Sequence, residues 1–332
     1  MSVSVLLPVR DGAAWLSQCI RSLEGQTLRD FEVVAVDDGS TDGTASVLGD
    51  WSQRNPRVTM LRQEPLGLVA ALERARAAAS GTWLARMDAD DVALPERLER
   101  QLALVEGTPG LVGCGCRIEY FPRARLRDGA LRYERWLNGL LEPDEIERDF
   151  FVECPLAHPT FFVRAEAVDE VGGYRDRGWP EDYDLLLRLR EAGGRFAKVG
   201  AMLLRWRDRS DRLSRTAAPY APEAFRRCKV HFLLRDHLAD RDAVVWGAGP
   251  TGKAFAVALG EAGGTLRAFV DLDPRKIGQE IHGVPVVPPG AVSDHRDAYV
   301  LAAVGQEGAR EEIRATLRGA GWAEPDDFRA VA

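Results

Sequence analysis

The N-terminal part of this chain is predicted to be an α/β fold with a mostly parallel central sheet, and a second, smaller α/β domain follows it. Three observations lead there. Short apolar runs alternate with segments whose apolar residues recur at helical spacing. The links between them are short, which favours parallel strands joined by right-handed crossovers. After a proline-containing stretch near residue 217 the pattern starts again, and 332 residues leave room for two domains.

Residues 3–7 read as a strand running into Pro8-Val9-Arg10-Asp11-Gly12, and Trp15, Leu16, Cys19, Ile20 and Leu23 then share one helical face. A second strand, 31–36, ends in Asp37-Asp38-Gly39-Ser40-Thr41-Asp42-Gly43-Thr44. That string supplies a tight turn and a helix N-cap, and Ala45, Val47, Leu48 and Trp51 form the next apolar face. Residues 57–62 give a third strand and 67–80 an alanine-rich helix.

The fourth strand, 82–87, delivers Asp88, Asp90 and Asp91, and Pro95 suits the first turn of the helix after them. Ligands gather where strands of an open α/β sheet end. Like charges this close raise one another's pKa unless a cation offsets them, and a hard ion such as Mg²⁺ or Mn²⁺ prefers oxygen ligands. A solvated acidic turn is the plainer alternative. The two acidic strand ends, Asp37/Asp38 and Asp88/Asp90, are expected at the same sheet edge. There the first can accept hydrogen bonds from a base or ribose, and the second can hold a metal on phosphates.

Composition narrows the functional classes. A chain 45% hydrophobic and 29% charged has ample core, and a net charge of −7 argues against nucleic acid as partner. Neither a leader nor an apolar run of about 20 residues is visible, so a cytoplasmic protein is expected, with peripheral membrane contact left open. Five scattered cysteines read as buried free thiols, because Cys114-Gly-Cys116 lacks a second pair or nearby histidines.

Leu7-Pro8-Val9, Val36-Asp37-Asp38-Gly39-Ser40-Thr41-Asp42 and Met87-Asp88-Ala89-Asp90-Asp91 with Pro95 together resemble the family 2 inverting glycosyltransferases of the GT-A fold. The likeness spans roughly residues 3–215. It implies a nucleotide-sugar donor held by Pro8, Asp11, Asp37, Asp38 and Asp88, with Asp88 and Asp90 on Mg²⁺ or Mn²⁺. The chain departs from the family at Asp11, where Asn is usual, and at Leu72-Glu73, where an Arg-Asn pair is frequent.

Downstream, residues 111–116 read as a strand and 122–150 as helical segments with weak periodicity. There Trp136 and Asn138 are candidates to touch a sugar, and Trp136 equally suits a helix anchor. His158 precedes Pro159-Thr160 and a strand at 160–163; it resembles the family's His-Pro-Thr segment, and a structural histidine is the alternative. Glu181-Asp182 opens a helix with a Leu185, Leu186, Leu189 face, and the resemblance makes Asp182 the catalytic base, beside Glu181. In the arginine-rich stretch 203–215, Arg207 and Arg209 are candidates for the diphosphate, and Arg209 stands where the family often has a metal-binding His. A solvated basic face is the competing reading.

The domain boundaries expected are 1–216 for the GT-A domain, 217–240 for a linker and helix, and 241–332 for a small Rossmann-like domain. The last rests on strand 243–246, the fingerprint Gly247-Ala248-Gly249-Pro250-Thr251-Gly252, a helix, and Asp271 after the next strand. NAD is one candidate ligand there; docking or oligomerisation, including a homo-oligomer, is the other use. The function expected is transfer of a sugar from a nucleotide-sugar to a saccharide or lipid-linked acceptor in bacterial surface polysaccharide or glycolipid synthesis. Two alternatives are an NAD-dependent sugar-nucleotide oxidoreductase or epimerase and a non-catalytic sugar-nucleotide-binding protein.

Overall fold

Apolar, β-branched runs build the first sheet: β1 (Val3–Val9), β2 (Phe31–Asp38), β3 (Val58–Gln63) and β4 (Trp83–Arg86). β1 and β4 are buried along their length and β2 at every residue but the half-buried Glu32, as strands covered on both faces must be. The structure, a computed structural model, describes residues 2–332 without the Arg125 side chain. Helices α1 (Ala13–Glu24), α2 (Thr44–Arg54) and α3 (Leu68–Ala78) connect these strands, and α4 (Arg97–Gly107) follows the short β5 (Val92–Ala93).

Beyond α4 come β6 (Leu111–Phe121), α5 (Asp128–Gly139), α6 (Pro143–Asp149), β7 (Phe162–Arg164), α7 (Ala165–Glu170), α8 (Glu181–Glu191), β8 (Arg195–Arg207) and α9 (Leu213–Thr216). The sheet order is β3-β2-β1-β4-β7-β6-β8-β5. Its pairs are parallel except those made by β7 and β5. Val9 pairs with Asp37 and Leu6 with Arg86, so the acidic ends of β2 and β4 flank the same end of β1. This is the shared edge expected from the sequence.

Several local expectations change. Residues 158–160 form a 3₁₀ turn, closed because the Thr160 N–H and hydroxyl both donate to the Ala157 carbonyl, and the strand starts at Phe162. β6 continues to Phe121, and the arginine-rich stretch begins as the end of β8. The alternation of Arg205 and Arg207 with Leu204 and Trp206 is strand period. Asn138 is not available to a sugar: its amide accepts from Ile118 N–H at 2.9 Å and donates to the Ile118 carbonyl at 2.8 Å. Trp136 packs against the core beside Tyr133, which leaves the helix-anchor reading.

Two compact units divide the chain. One takes it to Ile146 together with Pro155–Arg177 and Glu181–Thr216; the other takes Glu147–Cys154, Gly178–Pro180 and Ala217–Ala332. The second unit contains α10 (Pro222–Arg235), β9 (Ala243–Trp246), α11 (Pro250–Glu261), β10 (Leu266–Val270), β11 (Glu280–Ile281), β12 (Val284–Val287), β13 (Tyr299–Ala302), α12 (Ala309–Gly319) and β14 (Phe328–Ala330). Its sheet runs β11-β12-β10-β9-β13-β14, antiparallel only at β11. Buried charge explains why Glu147–Cys154 belongs here. Asp149 and Glu324 flank the buried Arg314 at 2.6 and 3.0 Å, and Lys229 Nζ donates to the carbonyls of Val152 and Val331 at 2.6 and 3.1 Å. All five cysteines are buried and none is in a disulfide, and among the described residues no helix is long and apolar enough to cross a membrane.

Candidate functional site

β4 ends at Arg86, and the chain turns through Asp88, Asp90 and Asp91 before β5 takes it back to β8. One carboxylate oxygen from each of the three lies within 4.8 Å of the others. Asp91 is 1% exposed; Asp88 and Asp90 are half-buried. Burial, then the charge of Asp88, raises the Asp90 carboxyl, and burial with both neighbours raises Asp91 well above the usual carboxylate range. The thiol of Cys19, buried behind the loop, is pushed up by burial and the same carboxylates. Asp91 Oδ1 accepts the Arg207 N–H at 2.7 Å, whereas its buried Oδ2 has no hydrogen-bond partner among the described residues. A set of clustered, hard oxygen donors with one orphaned buried oxygen fits Mg²⁺ or Mn²⁺.

The end of β8 closes over this loop because β5 pairs antiparallel with Leu204 and Arg205. Arg207 Nε donates to the Asp90 carbonyl at 2.7 Å and Nη2 to Gln18 Oε1 at 2.6 Å, and its guanidinium lies 4.3 Å from the rings of both Trp15 and Phe121. Arg209 Nε is 3.4 Å from Asp90 Oδ2. Arg212 stacks on Trp206 at 4.3 Å; burial opposes its protonated form, and the charges of Tyr120, Asp91, Asp88 and Asp90 outweigh that and favour it. The arginines therefore meet the acid loop, and Arg207 is committed to it.

At the neighbouring strand end, Pro8 is buried against Val36. Asp11, at φ 48°, accepts the Thr41 N–H at 2.8 Å and donates its own N–H to Ser40 Oγ at 2.9 Å, so the loops after β1 and β2 are stapled. Asp38 accepts from Leu66 N–H at 2.8 Å, Gly67 N–H at 2.9 Å and Gln63 at 2.8 Å, which makes it the clamp that starts α3. Asp37 is fully buried; Oδ1 accepts the Ser40 N–H at 3.1 Å, and Oδ2 faces Arg62 Nε at 3.2 Å without hydrogen-bond alignment.

Asp182 is half-buried in the first turn of α8, where the helix dipole favours its anion, and Oδ1 accepts the Tyr183 N–H at 2.7 Å. Glu181 is buried beside it and faces His158 Nδ1 at 3.4 Å. His158 is buried too, with Nε2 3.3 Å from the Tyr174 hydroxyl. Both ring nitrogens are thus turned to protein. Burial, and then the charge of Arg86, hold the imidazole well below its ordinary pKa.

In the second unit Gly247 holds φ 115°, a conformation that favours glycine, and a Cβ on Gly252 would overlap the Gly247 carbonyl. Gly249 has open space around it. Asp271 is occupied by protein: Oδ2 accepts Ala248 N–H at 2.8 Å and Lys276 at 2.9 Å, and Oδ1 accepts Asp273 N–H at 2.8 Å. Burial alone would raise its carboxyl, yet these donors together hold it below the usual range.

Sequence reasoning gave no role to Arg86, Glu73 or Tyr174. A signal existed for the first: an arginine inside an otherwise apolar strand needs a buried partner. It has one, since Arg86 pairs with Asp88. Glu73, noted as a departure, accepts the Tyr174 N–H at 2.6 Å and pairs with Arg76 at 2.7 Å.

The Glycosyl transferase family 2 profile matches residues 4–172. Amylovoran biosynthesis glycosyltransferase AmsE of Erwinia amylovora is 30% identical over 215 residues, 64% of this chain and 78% of the relative. TarS of S. aureus, solved with UDP-GlcNAc, superposes with a TM-score of 0.58 at 17% identity, over 70% of this chain and 67% of its own. The mannosyltransferase PcManGT from Pyrobaculum calidifontis, solved with GDP-Man and Mn²⁺, gives a TM-score of 0.51 at 18% identity, over 77% and 68%. The structural likenesses carry the GT-A type fold, and the profile match carries the family. This chain belongs to glycosyl transferase family 2 and is a glycosyltransferase.

Proposed function

We propose that the chain transfers a sugar, with inversion, from a nucleotide-sugar to an acceptor hydroxyl during bacterial surface polysaccharide or glycolipid assembly. The observation that carries this reading is the carboxylate cluster at the end of β4, within 4.8 Å and with Asp91 Oδ2 unpartnered among the described residues. Asp88, Asp90 and Asp91 would hold Mg²⁺ or Mn²⁺, which when bound neutralises negative charge on a leaving diphosphate. Pro8, Asp11, Asp37 and Asp38 shape the donor nucleotide edge beside it, and Arg209 and Arg212 add positive charge near the acid loop. Asp182 takes the proton from the acceptor hydroxyl as that oxygen bonds to the anomeric carbon and the bond to the diphosphate breaks. The part in polysaccharide synthesis is supported by the name of the Erwinia relative. The second unit is assigned to docking or ligand sensing, because Asp271 is taken up by its own turn.

The test is nucleoside diphosphate release from a panel of nucleotide-sugars, with lipid-linked oligosaccharide extract as acceptor. Asp182→Asn is expected to lower turnover at least about 100-fold while leaving nucleotide binding in place, the usual size of a general-base contribution. Full turnover in that variant would remove Asp182 from the role.

A further inference from the structure

Between the acid loop and the start of α8 runs a line of buried polar groups that neither substrate contact nor cation binding explains. It starts at Arg86, which is buried, pairs through Nη1 with Asp88, and leaves Nε without a hydrogen-bond partner among the described residues. A buried donor without a partner is unfavourable, so this guanidinium is under-committed where it stands. Its charge is felt at Tyr174, Glu181 and His158.

The Arg86 N–H donates to the Phe161 carbonyl at 2.8 Å, which sets the end of β4 beside the turn 158–160, and the line continues there. His158 has Glu181 Oε1 3.4 Å from Nδ1 and the Tyr174 hydroxyl 3.3 Å from Nε2. For a neutral ring one proton order serves both: Tyr174 O–H donates to Nε2, and Nδ1–H donates to the carboxylate. Tyr174 is held from two sides. Glu73 of α3 accepts its N–H at 2.6 Å, while Arg188 of α8 donates to the carbonyls of Val171 and Gly173 at 2.7 and 2.8 Å. Gly173 has φ 67°, and a Cβ there would strike the Glu73 carboxylate, so the turn presses directly on α3.

We propose that Arg86 is a positioning residue, coupling cation loading at Asp88 to the placement of the Glu181–Asp182 pair, with Tyr174 and His158 as the fixed strut on the other side of Glu181. When a cation takes up the charge of Asp88, that carboxylate pulls less on Arg86 and the guanidinium leans toward Glu181. Glu181 is then held between Arg86 and His158, and the next residue is the base. The acceptor side is completed when the donor side is loaded. This rests on the reading of Asp88 as a cation ligand and Asp182 as the base.

The experiment uses the full chain and two probes. Mn²⁺ alone, followed by electron paramagnetic resonance, reports the acid loop. Histidine-labelled ¹⁵N spectra with and without Mg²⁺ report the ring of His158, identified by its loss in His158→Gln. The wild type is expected to bind Mn²⁺, to show His158 neutral with the proton on Nδ1, and to shift those resonances on Mg²⁺ addition. Arg86→Met is expected to keep or tighten Mn²⁺ binding, since a competing cation is gone, and to lose the Mg²⁺-induced shift. Should Arg86→Met not fold, Arg86→Lys keeps the charge without the fork and is expected to retain part of the shift. An undiminished shift in Arg86→Met, or a proton on Nε2, overturns the coupling while leaving the cation site standing. Absence of Mn²⁺ binding in the wild type overturns the reading of the acid loop and the coupling with it.

Discussion

Replacing Asp91 by asparagine separates stability from function at the acid loop. The Asp91 oxygen lies within 4.8 Å of those of Asp88 and Asp90, a distance at which two unit charges repel by about 3 kcal/mol at an effective dielectric constant near 20. Arg86, Arg207, Arg209 and Arg212 offset much of that from one side. Asparagine retains the acceptor for the Arg207 N–H but leaves an amide where Oδ2 is buried, at a cost of about 1–3 kcal/mol. The balance favours Asp91→Asn by about 1–3 kcal/mol without metal, and a unit of this size gains about 2–4 °C in Tm for each kcal/mol. Thermal unfolding with a chelator and with Mn²⁺ reads both sides of the argument. The variant should melt above wild type in chelator and respond less to Mn²⁺. A lower melting temperature in chelator, or an unreduced response to Mn²⁺, would refute the electrostatic account of the loop.

Other predictions follow from single contacts. Burial and the Arg86 charge depress the His158 pKa, so the unfolded chain takes up the proton first as pH falls below about 6.5. Stability linked to His158 is complete above that value and is lost on acidification; His158→Gln should flatten the urea-unfolding profile in that window. In the second unit, Asp149→Ala removes one of three carboxylates on a buried arginine, and because Glu324 and the exposed Glu311 remain the loss should be about 2–3 kcal/mol by denaturant titration. Gly252→Ala places a methyl group on the Gly247 carbonyl and should cost at least about 3 kcal/mol, seen as early unfolding of that unit; a change within about 0.5 kcal/mol would contradict the close packing.

Much of this was legible because it is local. Apolar runs of strand length, the turn strings after β2 and β4, and the restart at residue 243 each encode their element within a few residues. The acidic strand ends could be placed on one edge because parallel order and short crossovers leave few topologies. What was not legible depends on distant partners. Arg86 reads as an oddity in an apolar strand until its pairing with Asp88 is seen. Asn138 looks like a surface amide until Ile118 consumes it. Arg205 and Arg207 read only as part of a basic segment, because strand alternation and a basic face have the same spelling. Residues 147–154 carry no sign in themselves that Arg314 and Lys229 will draw them into the second unit. Glu73 was noticed as a departure, but its partner, the Tyr174 N–H, is 101 residues away.

The central claim is a cation-dependent nucleotide site at Asp88, Asp90 and Asp91. A thermal-shift series of nucleoside diphosphates, each with and without Mn²⁺, tests it most directly, since a ligand specific to the folded state raises Tm by mass action. The account predicts a shift with one diphosphate that requires Mn²⁺ and disappears in Asp88→Asn. A shift indifferent to Mn²⁺ and undiminished in Asp88→Asn would contradict it.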